Sequence, residues 1–179
     1  KAGLEREIAL VPAGGIRRCE DIARLQAMGA AAVQIGTPFV ATLECDADDG
    51  FKRVIADARD EDIVEFVSVA GLPARAVRTP WLAAYLRHEE RIKAAVQGPR
   101  RCENGFGCLA QCGLRDGLKD WGQFCIDRRL ALALAGNVRK GLFFRGAGAL
   151  PFGSQIRSVR ELLERLLTPG FAVPQPAAD

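Results

Sequence analysis

The stretch "EIALVPAGGIRRCEDIARLQAMGAAAVQIGTPFVAT", residues 7–42, decides the fold. Its residues 8–11, Ile-Ala-Leu-Val, form a continuous apolar run. Such a run suits a strand covered on both faces, as in a parallel sheet. Pro12-Ala13-Gly14-Gly15 ends it. The helix expected next carries Glu20 and Asp21 in its first turn, where negative charge matches the helix dipole. Ile22, Leu25 and Met28 share one stripe, extended by Ala23 and Ala27. Gly29 closes the helix, as C-terminal glycines do. Residues 30–35 then read as a second apolar strand, ending in Gly36-Thr37.

Two strands joined by one helix make a right-handed βαβ unit. Both glycine exits then fall beyond the carboxyl ends of the strands, at one edge of the sheet. Glycine lets backbone N–H groups approach a ligand without a Cβ in the way. A phosphate held there would meet N–H groups of Gly15 and Gly36, with the N–H and hydroxyl of Thr37 added. In (β/α)8 barrels the loops after strands 7 and 8 form such a site. Either glycine turn alone is also explained by tight turning; a pair on consecutive strands points to phosphate.

Composition bounds the alternatives. The chain has 179 residues, 49% apolar and 26% charged, with six cysteines and a net charge of +3. These are ordinary values for a water-exposed globular domain. The charge is too small and too evenly spread to argue for nucleic acid. No run approaches the roughly 20 apolar residues of a membrane helix, and no secretory signal is visible. Four clustered cysteines without a signal suit a reducing, cytoplasmic setting with metal or redox roles rather than disulfides.

With these residues on the page a family resemblance is plain. The segment "PAGGIRRCEDIARLQAMGAAAVQIGTPFVATLECDADDGFKRVIADA" resembles the last two βα units of the nitronate monooxygenase family. This is the 2-nitropropane dioxygenase-like group of FMN-dependent barrels, which includes flavin-type enoyl-ACP reductases. The likeness continues through "GLPARAVRTPW" and "GLFFRGAGALPFGSQIRSVRELLERLL". It implies an α/β fold, the C-terminal portion of a (β/α)8 barrel with an added Cys-rich α+β subdomain. It implies an FMN phosphate at Ala13, Gly14, Gly15, Gly36 and Thr37, with Gln34 beside it. The returning segment at Gly146, Ala147 and Gly148 is expected near the flavin by the same resemblance, a flexible loop being the other reading.

The expected organisation is residues 1–60 as two βα units, 61–135 as the Cys-bearing subdomain, 136–168 as returning strand and terminal helix, and 169–179 as tail. An eight-stranded barrel takes about 250 residues, and the first residue is Lys1 rather than Met. The chain is therefore expected to be a C-terminal piece, or one subunit of a split enzyme completed by a partner chain or a homo-oligomer. The family's catalytic histidine is not carried over to His88, the single histidine, which reads as a solvated helix residue. The catalytic residue is left unassigned.

Beyond residue 60, "DIVEFVSVAGLPARAVRTPW" reads as a short hairpin with a Gly-Leu-Pro turn. Thr79-Pro80 starts a helix packed by Leu82, Tyr85, Leu86, Ile92 and Val96. Ser158 and Glu161 form a capping box, and Leu162, Leu163, Leu166 and Leu167 are expected to be the buried stripe of the last helix. Between them lie Cys102, Cys108, Cys112 and Cys125. Three readings stand for these sulfurs: a [4Fe–4S] cluster, a structural zinc, or thiols that are free or disulfide-bonded. The last three resemble the cluster loop of the trimethylamine dehydrogenase group, whereas the first gap departs from it.

The functional expectation is an FMN-dependent oxidoreductase. It would oxidise alkyl nitronates with O2, or reduce an enoyl or quinone acceptor with NAD(P)H. The rivals are a non-flavin phosphate-binding barrel enzyme and an electron-transfer or interaction subunit.

Overall fold

The structure is a computed structural model, and it describes residues 8–171. The chain divides into two compact units: one joins the residues up to Cys45 with those from Gly148 on, and the other is Asp46–Ala147.

In the first unit, α1 (Cys19–Ala27) runs as expected, with Glu20 and Asp21 in its first turn and Gly29 just past its end at φ 98°. The flanking apolar segments are less regular than the sequence suggests. They pair in parallel at a single bridge, Ala13 with Gln34, through Ala31 N–H to Leu10 O and Gln34 N–H to Pro12 O, each 2.9 Å. Neither becomes a full strand. Among the described residues no third segment pairs beside them, and parallel pairing depends on flanking neighbours and covering helices. Ile8, Leu10 and Val11 are accordingly 56%, 64% and 51% exposed, not covered on both faces.

The one-turn α2 (Thr37–Val40) follows. A second parallel bridge, Thr42 with Arg157, leads into α7 (Val159–Leu167). Here the capping box is present as expected: Ser158 Oγ accepts from Glu161 N–H, and Ser158 N–H donates to Glu161 Oε2 at 3.0 Å. That bonding holds the Glu161 carboxyl below its ordinary pKa. The helix packs on α1 and α2, and its Leu162 and Leu166 are buried. Leu163 and Leu167, expected in the same stripe, are 41% and 68% exposed. Most of the expected tail, residues 172–179, lies outside the described residues.

The second unit holds a well-packed core. Its helix α3 (Asp49–Asp57) is capped by Asp48, whose carboxylate accepts from Gly50 N–H at 2.7 Å. The hairpin forms as read: β1 (Ile63–Val67) pairs antiparallel with β2 (Pro73–Val77), Ile63 opposite Val77. The returning segment adds a bridge from Phe144 to Ala76. It places Leu142 and Phe143 at full burial. Thr79 caps α4 (Pro80–Ala94) by position only; its hydroxyl donates to Gly141 O at 3.3 Å instead. Next come α5 (Gly113–Asp116) and α6 (Ile126–Leu134). Phe66, Val69, Leu82, Tyr85, Phe124 and Leu142 form one cluster. Trp81, Tyr85 and Phe124 meet as an aromatic triad with centroids 5.1–5.6 Å apart, the separation at which edge and offset contacts add to burial.

Two buried polar side chains donate to main-chain carbonyls, although Gln123 Oε1 itself has no hydrogen-bond partner among the described residues. Arg145, 3% exposed, donates from Nε to Ile55 O at 2.8 Å. Gln123 donates its backbone N–H to Tyr85 Oη and its amide to the carbonyls of Gly113, Leu118 and Trp121. Burial pushes the Tyr85 phenol up to about 12, so it stays protonated near neutrality. Among the described residues no helix is long and apolar enough to cross a membrane.

Candidate functional site

The glycine exits of the first unit come together. Ala13 and Gln34 are bridged in parallel, so Gly14-Gly15 and Gly36-Thr37 leave the pairing at the same end. Gly14 and Gly15 have φ of 86° and 72°, a conformation that glycine adopts without cost. Gly36 is different. Its φ is −118°, and a Cβ there would meet nothing within 4 Å. Neither backbone conformation nor packing against this chain requires glycine at 36. A Cβ on Gly14 or Gly15 would also point into open space. Main-chain N–H groups beside such space are what an anion needs.

Gln34 is exposed and Thr37 half-buried at this end. Gly148 belongs to the same unit and has φ 88°. A Cβ on it would overlap the Arg17 guanidinium, so glycine here has a packing reason inside the chain. Sequence reading missed this contact because 131 positions, 148 less 17, separate the two residues. Arg17 itself is anchored two residues beyond Gly15 by its N–H to Asp21 Oδ2 at 3.0 Å. Gly146 lies in the other unit, exposed and with open space at its Cβ position. His88 is exposed on α4, as read.

The metal expectation is not supported. All six cysteines are free thiols. Among the described residues no three His, Cys, Asp or Glu side chains form a group that could hold a metal ion. Cys102, Cys108, Cys112 and Cys125 do influence one another electrostatically, but other groups claim them. Asn104 Nδ2 donates to Cys125 Sγ at 3.6 Å and to Asp127 Oδ2 at 2.6 Å. Backbone N–H groups, Gly107 first, bond to Cys102 and hold its thiol below the ordinary value. Desolvation, with the other three thiols and Asp127, pushes Cys108 up. Sequence spacing brings sulfurs near one another; it does not converge four of them on one point. Neither the [4Fe–4S] nor the zinc assignment of these residues is retained.

The chain thus has a mixed α/β fold with a parallel pairing flanked by glycines. The comparisons define it further. Residues 4–169 match the family model "Nitronate monooxygenase". The chain belongs to the nitronate monooxygenase family, whose members are flavin-dependent oxidoreductases. A curated relative from Staphylococcus saprophyticus, "Probable nitronate monooxygenase", is 28% identical over 85 residues, which make up 48% of this chain and 24% of the relative. FabK from Thermotoga maritima is 28% identical with a TM-score of 0.59, covering 90% of this chain and 44% of FabK. Nitroalkane oxidase from Streptomyces ansochromogenes is similar in fold at 24% identity and a TM-score of 0.55, covering 89% and 38%. The chain thus spans about a quarter of the curated relative and about two fifths of these solved structures.

Proposed function

We propose that this chain carries the phosphate-anchoring part of an FMN site in an oxidoreductase of the nitronate monooxygenase family. The observation that carries the reading is the parallel Ala13–Gln34 bridge, because it puts two glycine exits side by side. Gly14, Gly15, Gly36 and Thr37 would hold the phosphate through N–H groups and the Thr37 hydroxyl, with Ala13 and Gln34 as the strand tips that space them. The open, unstrained Gly36 supports this, since its lack of a side chain is otherwise unexplained. Bound FMN would supply the redox chemistry; these residues bind and orient it.

On this reading the two units belong to the C-terminal portion of a (β/α)8 barrel, and Ile8, Leu10 and Val11 are covered by further barrel strands. The substrate is a small molecule. Nitronate oxidation with O2 follows the family match, and acceptor reduction with NAD(P)H follows the likeness to FabK. Gly146 and Gly148 enter as positions where the returning segment approaches the cofactor. Gly36→Val tests the anchor. Its φ of −118° and free space accept a branched side chain, so the thermal midpoint should hold while FMN co-purification is lost. Undiminished FMN occupancy in that variant would exclude this loop as the phosphate site.

A further inference from the structure

The second unit contains a cleft of about 450 Å³ that the flavin reading does not use. Its wall is the aromatic triad of Trp81, Tyr85 and Phe124, and Arg100, Arg128 and Arg129 also line it. The charge is one-sided. Glu103 is the one carboxylate among the lining residues, and it lies 4.0 Å from Arg128. Arg129 is held in place twice: its guanidinium sits 4.4 Å above the Trp81 ring, and Nη1 donates to Lys140 O at 3.0 Å. A planar fork fixed by stacking and one hydrogen bond loses little freedom when it binds an oxyanion. Arg128 is 68% exposed at its side chain and free to turn toward a guest. The arginines come from two separate parts of the sequence, the loop after α4 and the first turn of α6.

We propose that this cleft is a binding site for an organic phosphate, separate from the glycine exits. The phosphates would lie on Arg128 and Arg129 with Arg100 at the mouth. The organic body would lie along the apolar wall formed by Ile92, Leu114 and Phe124. A polyanion fits better than a single carboxylate, because three guanidinium groups face one acid, and charge-assisted bonds from Arg to phosphate are the strong ones. Cys125 also lines the cleft, and it supplies a chemical reporter of occupancy.

The test uses the full chain loaded with FMN, titrated by calorimetry with inorganic phosphate, pyrophosphate and ADP. ADP is expected to bind more tightly than pyrophosphate, and pyrophosphate more tightly than phosphate. Arg128→Gln and Arg129→Gln should each weaken ADP by about tenfold or more, as loss of a charge-assisted bond does. FMN content should stay constant. Bound ADP should slow alkylation of Cys125 as read by mass spectrometry. Arg128→Gln leaves the fold alone, since its side chain is mostly in solvent. ADP binding that survives Gly36→Val, whether or not FMN is lost there, keeps this site distinct from the flavin anchor. No saturable binding of any of the three up to about 5 mM would overturn the proposal. So would ADP affinity unchanged in both arginine variants, or loss of ADP binding in Gly36→Val alone.

Discussion

The two units put similar sequence to different use. In Asp46–Ala147, Val69, Leu82, Leu142 and Phe143 reach complete burial. In the unit with the glycine exits, Ile8, Leu10 and Val11 are equally apolar and stay more than half exposed. Apolar character records what a residue gains by burial, about 25 cal/mol per Å². It does not supply the surface that buries it. The hairpin and α4 cover each other because a two-stranded sheet presents a face to a helix close by in sequence. A two-segment parallel pairing has no such local partner. The difference separates a unit whose large apolar side chains find cover from one whose strand residues stay exposed.

Mutations can break this comparison. Leu82→Ala should destabilise by about 3–5 kcal/mol in urea denaturation, the range for buried Leu truncation. Leu10→Ala should change it by no more than about 0.5 kcal/mol. Equal effects at the two sites would remove the contrast. Next comes Gly71→Ala. At φ 75° with the Trp121 indole where its Cβ would go, it should cost about 2–3 kcal/mol, strain and overpacking together.

Ser158→Ala removes the cap of α7 and should cost about 1 kcal/mol. Its thermal shift would show whether the first unit melts with the second or ahead of it. The smallest effect depends on pH. The Arg115 guanidinium bonded to Asp116, with the Cys112 N–H, holds that carboxyl down at about 2. A depressed folded value stabilises above the unfolded value of 3.8 and is lost as pH falls toward 2. Asp116→Asn should lower the midpoint at neutral pH, where the charged carboxylate stabilises the fold, and the variant and parent profiles should converge as pH falls from 3.8 toward 2. An unaltered acid profile would remove Asp116 from the account.

Much was legible without coordinates where the cause is local. Gly29 after α1, the turn before Pro73, Pro80 at the start of α4 and the Ser158–Glu161 box all act within one turn of chain, through dihedral preference and hydrogen bonds to neighbours. The pairing of Ala13 with Gln34 was legible because a βα unit folds back on itself within one helix. What failed was of another kind. Residues 8–11 did not become a buried strand, Leu163 and Leu167 stayed in solvent, and four cysteines in one segment did not make a metal shell. Arg17 against Gly148 and the arginines of the second cleft left no trace in the spacing.

The sequence alone determined the caps, the turns, the hairpin and the two glycine exits, since steric limits at single residues act wherever the chain goes. Tertiary structure alone decided which apolar faces found cover, which sulfurs were claimed by N–H groups, and which guanidinium groups met at one cleft. Those outcomes depend on surfaces brought together by residues far apart in the chain, and no local preference encodes them.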